Sequence, residues 1–189
     1  MANQLPINQL SSNQLPINKL SSNRGKTAVL IMDYQNRQLS AFPEEFQNKI
    51  LKRANKVLAR VRHEGIPLIY VEVVRGERTP ETAIHPAITP KPGEIVLTKS
   101  RVGPFSTTKL DELLKKQGVD TLVLMGLRTS GCVLTAVRWA ADIDYKLIVL
   151  SDCCADAEDD IHQILMGKVF PRQATVITSL QWLRALGKE

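Results

Sequence analysis

Short apolar runs alternate with segments of helical periodicity from residue 27 to the C-terminal region. The run TAVLIM at 27–32 is continuously apolar, which is typical of a parallel strand buried on both faces. Apolar residues then recur at helical spacing from Phe46 to Val61, and Gly65 supplies a stop signal. The same reasoning predicts further strands at 66–74, 95–98, 121–125, 147–150 and 174–178, and further helices around 110–116, 132–140, 159–166 and 180–186.

This alternation of strands and helices predicts a three-layer α/β/α fold of the Rossmann-like type. We expect about six strands in a mostly parallel sheet, with helices on both faces. The 189 residues are enough for one such domain and too few for two ordinary ones. In sheets of this kind the ligand crevice lies beyond the carboxyl ends of the strands.

The first 24 residues have a different character. A ten-residue unit at 3–12 is repeated at 13–22 with one change, Gln9 to Lys19, and each copy contains a proline. We therefore divide the chain into a flexible arm at 1–24 and a folded domain at 25–189. The Leu and Ile residues of the arm leave a second interpretation open, in which it packs in a groove on a neighbouring subunit.

Composition excludes several classes of protein. No apolar run approaches the length of a membrane span and no signal peptide pattern is present, so we expect a cytoplasmic protein without a membrane partner. The net charge is +6, but the basic residues are scattered and aromatics make up only 5%, so nucleic acid is not an expected partner. The charge indicates a solvated basic surface or, as the weaker alternative, an anionic substrate.

Three candidate catalytic residues follow three of the predicted strands. Cys132 starts the helix after the fourth strand, where the helix dipole and exposed N–H groups are expected to lower a thiol pKa and to stabilise an oxyanion. Asp33 follows the first strand, where burial raises a carboxyl pKa and favours general acid–base catalysis. Lys99 ends the third strand and is expected to reach the same crevice. Taken singly, Cys132 is as compatible with an inert buried cysteine. Asp33 fits a catalytic role better than a capping role, and Lys99 fits a solvated strand end better than a catalytic role.

Three sequence blocks carry a resemblance to a known family. They are DYQN at 33–36, TKSR at 98–101 leading to Phe105, and GLRTSGCV at 126–133. In this order and spacing they resemble the isochorismatase-like cysteine hydrolases, which include nicotinamidases, N-carbamoylsarcosine amidohydrolases and isochorismatase itself. The resemblance covers residues 27–183, nearly the whole chain outside the arm.

The resemblance implies a catalytic triad of Cys132, Asp33 and Lys99, and an acyl-enzyme intermediate. It also implies a cis peptide at Leu127–Arg128 that directs the N–H groups of Arg128 and Cys132 at an oxyanion. The substrate-binding residues it implies are Gln35, Arg101, Phe105 and Arg128. A homo-oligomer, a dimer or tetramer, is expected from the same source, and a small molecule is the expected substrate.

Two departures from the family pattern restrict the substrate. No aspartate occurs between Asp33 and Asp111, and only His63 and His85 are available there, so we expect no metal, no cofactor and no nicotinamide substrate. Arg128 stands where the family has a small residue. It either clamps a substrate carboxylate or points outward to an acidic neighbour. A hydrophobic wall usually given by a phenylalanine after the catalytic aspartate must come from Phe42 or Phe105.

The leading hypothesis is therefore a metal-independent cysteine hydrolase that cleaves a C–N bond in an amide or ureido compound. One alternative is hydrolysis of a vinyl ether with Asp33 as the acid. Another is a non-catalytic interaction module with the same fold. Cys153 and Cys154 are expected to serve packing, since no metal or redox spacing surrounds them.

Overall fold

The computed structural model describes residue 14 and residues 25–187, and within them a six-stranded, entirely parallel sheet of order β3-β2-β1-β4-β5-β6. The sequence prediction of an α/β fold with a parallel sheet is confirmed. The strands are β1 (Thr27–Met32), β2 (Leu68–Val73), β3 (Ile95–Lys99), β4 (Thr121–Leu127), β5 (Lys146–Ala155) and β6 (Thr175–Ile177).

Helices cover both faces of the sheet. They are α1 (Asn36–Leu39), α2 (Glu44–His63), α3 (Leu110–Lys116), α4 (Leu134–Asp142), α5 (Asp159–Ile164) and α6 (Ser179–Ala185), with π-helical turns at Thr129–Val133 and Leu165–Val169 and 3₁₀ turns at Pro80–Thr82, Pro86–Ile88 and Phe170–Arg172. Alternate residues of β1 enter two separate cores. Val29 and Ile31 pack with α2 and α6, whereas Leu30 and Met32 pack with α3 and α4. This two-sided burial explains why β1 reads as a continuous apolar run.

Two element boundaries differ from the sequence prediction. β5 continues to Ala155, five residues beyond its predicted end, because its register with β4 shifts and Gly126 then pairs with Cys154. The polar residues Ser151 and Asp152 conceal this extension in the sequence. The helix predicted to begin near Cys132 begins at Leu134, and the π-helical turn precedes it. Both differences bring residues to the carboxyl edge of the sheet.

Of the predicted N-terminal arm, the structure describes Gln14 alone. Gln14 forms a parallel bridge with Leu147, and its side-chain amide donates to the carbonyl of Pro171 at 2.6 Å. At this point the chain lies on its own subunit. The rest of the predicted arm, including the proposed packing on a neighbour, lies outside the described residues. Among the helices of the described part, none is long and apolar enough to cross a membrane.

Candidate active site

Asp33 follows β1 directly and lies where the chain turns away from the sheet. Its backbone has a φ of +58°, in the left-handed region that aspartate tolerates better than most residues. Its N–H donates to the carbonyl of Val71 at 2.8 Å, so the end of β2 fixes this turn. The side chain is only 6% exposed. The result is a carboxyl group held in a dry position at the carboxyl edge of the sheet.

Lys99, the last residue of β3, reaches across β2 to this carboxyl group. Its Nζ lies 2.7 Å from Asp33 Oδ2 and also donates to the carbonyl of Val102. Lys99 is 1% exposed, which makes it one of the most buried large side chains in the protein. A buried ammonium requires such partners, because an unpaired charge in the interior is costly. The structure therefore brings Asp33 and Lys99 together as the sequence predicted.

Cys132 approaches the same pair from the π-helical turn after β4. Its side chain is 2% exposed, and its Sγ lies 3.6 Å from the carbonyl oxygen of Arg128. Gly126 makes room for it, because a Cβ added there would lie 3.2 Å from Cys132 Sγ and 3.0 Å from Met32 Cβ. The thiol is close enough to Asp33 for each group to affect the pKa of the other.

Burial dominates the electrostatics of the site. It raises the pKa of Asp33 above its ordinary value, while the neighbouring Lys99 ammonium and the Cys132 thiol act in the opposite direction. Burial also raises the pKa of the Cys132 thiol well above its usual range, and the negative charge of Asp33 raises it further. The expectation that a helix start lowers the thiol pKa is therefore wrong. The physical reason is that desolvation and the charge of the nearby Asp33 carboxylate outweigh the attraction of Lys99.

The turn before Cys132 contains the cis peptide bond Leu127–Arg128, as the resemblance implied. The carbonyl of Arg128 accepts hydrogen bonds from the N–H groups of Gly131 at 3.2 Å and Val133 at 3.3 Å. These bonds hold the turn closed beneath the thiol. An oxyanion hole made of the Arg128 and Cys132 N–H groups stays a prediction.

A cavity of about 380 Å³ opens in front of the three residues. Four arginines and one lysine line it, against a single carboxylate, so the cavity is strongly cationic. Its lining comprises Asp33, Gln35, Arg37, Gln38, Val73, Arg75, Thr82, Lys99, Arg101, Val102, Leu127, Arg128, Gly131 and Cys132. A volume of this size suits a small molecule.

The predicted substrate-binding residues have different positions. Arg101 and Arg128 line the cavity as expected. Gln35 also lines it, but its amide group is bonded to backbone atoms: Nε2 donates to the carbonyls of Val73 and Thr82, and Oε1 accepts from the N–H of Val73. Gln35 therefore ties together the wall of the cavity.

Phe105 is not among the residues that line the cavity, so its predicted position in the substrate site is corrected here. It is buried in the core beneath α3 and α4, with its ring 6.3 Å from that of Trp139 and 6.4 Å from that of Tyr145. The physical reason is that a large apolar ring following a polar loop is buried more favourably in the core than at a cationic cavity. Phe42, the other candidate for a hydrophobic wall, lies beneath the Arg128 side chain.

Arg128 had two predicted orientations, and the structure distinguishes them. Its guanidinium carbon lies 4.8 Å from the centre of the Phe42 ring, a cation–π contact, and the side chain lines the cavity. Asp156 feels the charge of Arg128, but its hydrogen bonds come from the N–H groups of Ser130 at 2.6 Å and Ala157 at 2.8 Å. Arg128 thus faces the cavity instead of pairing outward.

Sequence reasoning did not identify Arg37, Gln38 and Arg75 as cavity residues. The position of Arg75 could have been predicted, because it follows the end of β2 at the same edge of the sheet as Asp33 and Lys99. Arg37 and Gln38 lie on the single-turn helix α1, whose orientation depends on a hydrogen bond from Asn36 N–H to the carbonyl of Ala83. Nothing local in the sequence indicates that contact.

The remaining histidines and cysteines take other positions. Within residues 14 and 25–187 no group of three or more His, Cys, Asp or Glu side chains is arranged to hold a metal ion. His85 accepts a hydrogen bond from the Ala87 N–H, and His162 bonds to the hydroxyl of Thr129 at 2.8 Å. Cys153 and Cys154 are buried in the two cores, in keeping with a packing role.

Replacing Gly126 with alanine is expected to lower the free energy of unfolding by about 1–3 kcal/mol. The new methyl group would lie 3.0 Å from Met32 Cβ, 3.1 Å from the Met32 carbonyl oxygen and 3.2 Å from Cys132 Sγ. The strand backbone and the buried thiol have little room to move away from it. Urea unfolding measures the effect. Gly167→Ala is the matched control, because an added Cβ there meets nothing within 4 Å. Equal midpoints for the two variants would contradict the close packing at Gly126.

Lys99→Met and Asp33→Asn are each expected to lower the free energy of unfolding by roughly 3–5 kcal/mol, because each single change leaves a buried charged partner behind. The Lys99→Met, Asp33→Asn double variant removes both charges and should lose clearly less than the sum of the two single changes. Urea unfolding of the wild-type protein, the two single variants and the double variant measures the coupling energy of the pair. Lys115→Met, which removes an exposed partner of Asp111, serves as the control and should change stability by at most about 0.5 kcal/mol. Additive losses would show that the pair is not coupled.

The chain is similar in sequence to a known domain family and to an amidohydrolase. The isochorismatase domain pattern matches residues 27–181. The chain is 35% identical over 113 residues to the maleamate amidohydrolase of Pseudomonas putida, and this match covers 58% of the chain and 53% of that relative, about half its length.

Two solved structures have a similar fold. N-carbamoylsarcosine amidase from Thermoplasma acidophilum superposes with a TM-score of 0.72 at 27% identity, covering 82% of this chain and 96% of that one. An isochorismatase-like hydrolase from Alkaliphilus metalliredigens gives a TM-score of 0.78 at 27% identity, covering 86% and 99%. With the domain pattern extending over most of the described residues, the chain belongs to the isochorismatase-like hydrolase family.

Proposed function

We propose that this protein hydrolyses a C–N bond in a small amide or ureido compound, without a metal, through a Cys132–Asp33–Lys99 triad. The observation that carries the proposal is the meeting of a buried thiol, a buried carboxyl group and a buried ammonium at one small cavity. The similarity to a maleamate amidohydrolase and to an N-carbamoylsarcosine amidase supports the same bond type.

In the first half of the reaction Cys132 attacks the substrate carbonyl carbon. The thiol proton passes to Asp33, whose raised pKa makes it a competent acceptor in spite of the neighbouring Lys99. A C–S bond forms and the carbonyl oxygen gains negative charge, which the N–H groups of Arg128 and Cys132 stabilise. Because the thiol is neutral before substrate binds, proton transfer and attack take place together.

In the second half the tetrahedral intermediate collapses. Asp33 returns the proton to the nitrogen, the C–N bond breaks, and ammonia or an amine leaves. Water then attacks the thioester while Asp33 accepts its proton. The C–S bond breaks, the carboxylic or carbamic acid leaves, and the proton returns to the Cys132 sulfur. Lys99 touches Asp33 and no reacting carbon, so its part is to hold the carboxyl group in place and to offset its desolvation.

Cys132→Ala and Asp33→Asn are each expected to lower kcat/KM for ammonia release by at least about 10³-fold, because one removes the nucleophile and the other the proton acceptor. The assay is a panel of small amides, ureido compounds and carbamoylated amino acids. Cys153→Ala is the matched control and should retain activity, since that buried thiol packs in the core away from the cavity. Full activity of the Cys132 variant would refute covalent catalysis.

A second candidate function has an observation in its favour. The raised pKa of Asp33 would also suit a general acid that protonates a vinyl ether, as in isochorismate hydrolysis. In that reaction Asp33→Asn abolishes activity and Cys132→Ala does not. The same pair of variants, assayed on isochorismate, therefore separates the two candidates.

The pH profile follows from the direction of the two pKa shifts. Asp33 must be ionised to accept the thiol proton, so kcat/KM should fall as the pH drops through its raised pKa, above the ordinary value of about 4. The Cys132 thiol stays protonated well beyond neutral pH, so no loss is expected on the alkaline side below about pH 9. Initial rates between pH 4 and 9 give the profile. Lys99 lowers the pKa of Asp33, so the Lys99→Met variant should lose activity at a higher pH than the wild-type protein does. An acidic fall in kcat/KM at the same pH in both proteins would contradict the assignment to Asp33.

A further inference from the structure

The turn between β4 and α4 is attached to the neighbouring part of the fold by two side chains. His162, on α5, is hydrogen-bonded through Nδ1 to the hydroxyl of Thr129 at 2.8 Å. The carboxylate of Asp156, in the loop before α5, accepts a hydrogen bond from the N–H of Ser130 at 2.6 Å. Two consecutive residues of the turn are therefore held by α5 and the loop that leads to it.

The hydroxyl of Thr129 depends on His162. Thr129 is fully buried, and no other group in the described part of the chain is hydrogen-bonded to its hydroxyl. A buried hydroxyl without a partner costs free energy. Burial lowers the pKa of His162 below its ordinary value, against the charges of Asp159 and Asp156, so the ring is neutral at neutral pH. The contact is thus a hydrogen bond between two uncharged groups that each need it.

Asp156 holds the turn through an ionised group. Burial raises the pKa of its carboxyl group, but hydrogen bonds from the N–H groups of Ser130 and Ala157, with the charge of Arg128, lower it by more. The net shift is below the ordinary value, so Asp156 is a carboxylate at neutral pH. Its contact with the Ser130 N–H is therefore charge-assisted, and such hydrogen bonds are stronger than those between neutral groups.

The two held residues lie between the proposed oxyanion donors. Thr129 and Ser130 separate Arg128 from Cys132, whose N–H groups are proposed to meet the developing charge. The two bonds that the Arg128 carbonyl accepts within the turn are longer, at 3.2 and 3.3 Å, than the two contacts from outside it. A misplacement of about 1 Å in a catalytic group lowers the rate by about 10²-fold. Small movements of this turn would therefore be costly.

We propose that His162 and Asp156 are positioning residues, which hold the turn so that its N–H groups meet the oxyanion. Neither residue lines the cavity of the candidate active site, and both line a second cavity of about 390 Å³. They act through Thr129 and Ser130 and not on the substrate. Because an interaction made only in the transition state changes kcat and not KM, losing either anchor should lower kcat alone. This inference rests on the proposed function and adds two residues to those it requires.

Thr129→Val and His162→Leu test the proposal, because each removes one side of the same hydrogen bond. Each is expected to lower kcat at least about tenfold, with KM within about twofold of wild type, on the amide that the wild-type protein hydrolyses fastest. The double variant should lose no more than the more impaired single variant, since both changes break one bond. Thr129→Ser and His162→Asn keep a polar group in place and should recover part of kcat.

Gln163→Leu is the matched control. Gln163 is the next residue on α5 and also lines the second cavity, but its side chain bonds to the exposed Asp159 at 3.4 Å and not to the turn. This variant should keep kcat and KM. Asp156→Ala should lower kcat as His162→Leu does, and Asp156→Asn, which keeps an uncharged acceptor, should recover part of it.

Hydrogen exchange of the turn, followed by NMR, gives a readout that needs no substrate. In Thr129→Val and His162→Leu the N–H groups of Ser130 and Cys132 are expected to exchange at least about tenfold faster relative to those of β1, and in Gln163→Leu at the wild-type ratio.

Three results would overturn the proposal: unchanged kcat in both single variants, losses that multiply in the double variant, or unchanged exchange of the turn. A rise in KM at constant kcat would also overturn it, because it would indicate direct contact with the substrate. A failure of the proposed function is recognised separately, as a wild-type protein that releases no ammonia from any amide of the panel. The exchange measurement still decides, in that case, whether the two side chains hold the turn.

Discussion

The buried ion pair of Lys99 and Asp33 is the constraint on which the rest of the site depends. An ammonium that is 1% exposed costs several kcal/mol unless a carboxylate and further acceptors surround it. Lys99 ends β3, whereas its carboxylate partner Asp33 follows β1, which is not adjacent to β3, and its second acceptor is the carbonyl of Val102 in the loop after β3. Any sheet register that separated these strand ends would leave a bare charge inside the protein. The ion pair therefore fixes the edge of the sheet at which the candidate active site lies.

The same pair bears on how a neutral Cys132 thiol would act as the proposed nucleophile. Desolvation raises the pKa of both Cys132 and Asp33, and it raises that of the thiol well above its usual range, so the proton stays on the sulfur while Asp33 remains the acceptor. Lys99 counteracts part of the desolvation of Asp33 and keeps the carboxylate accessible as a base. A permanently charged thiolate would need an adjacent cation of its own, and the described residues place the ammonium on the carboxylate instead. Activation thus accompanies substrate binding.

The features of this protein that the sequence reveals are those with a local physical cause. β1 and β4 are recognisable because burial on both faces demands unbroken apolar runs, and Asp33 and Lys99 because parallel strands end at a common edge. Features that depend on contacts between distant segments were not predictable. The position of Gln38 depends on a backbone hydrogen bond between α1 and the loop at Ala83. The side-chain amide of Gln35 is fully hydrogen-bonded only because Val73 and Thr82 lie beside it. Phe105, predicted to bind substrate, is instead buried against Trp139 and Tyr145, a contact that no local pattern indicates.

The positive charge around the cavity connects recognition with catalysis. In the proposed reaction the thiol proton passes to the Asp33 carboxylate as the C–S bond forms. The negative charge thereby moves from Asp33 to the substrate oxygen, where the arginines of the cavity concentrate positive potential. Arg128 contributes to this potential in two ways. Its backbone N–H is proposed as an oxyanion donor, and its guanidinium, 4.8 Å from the centre of the Phe42 ring, adds positive charge to the cavity lining. Removal of the Arg128 side chain would therefore weaken the field around the oxyanion while leaving the backbone donor in place.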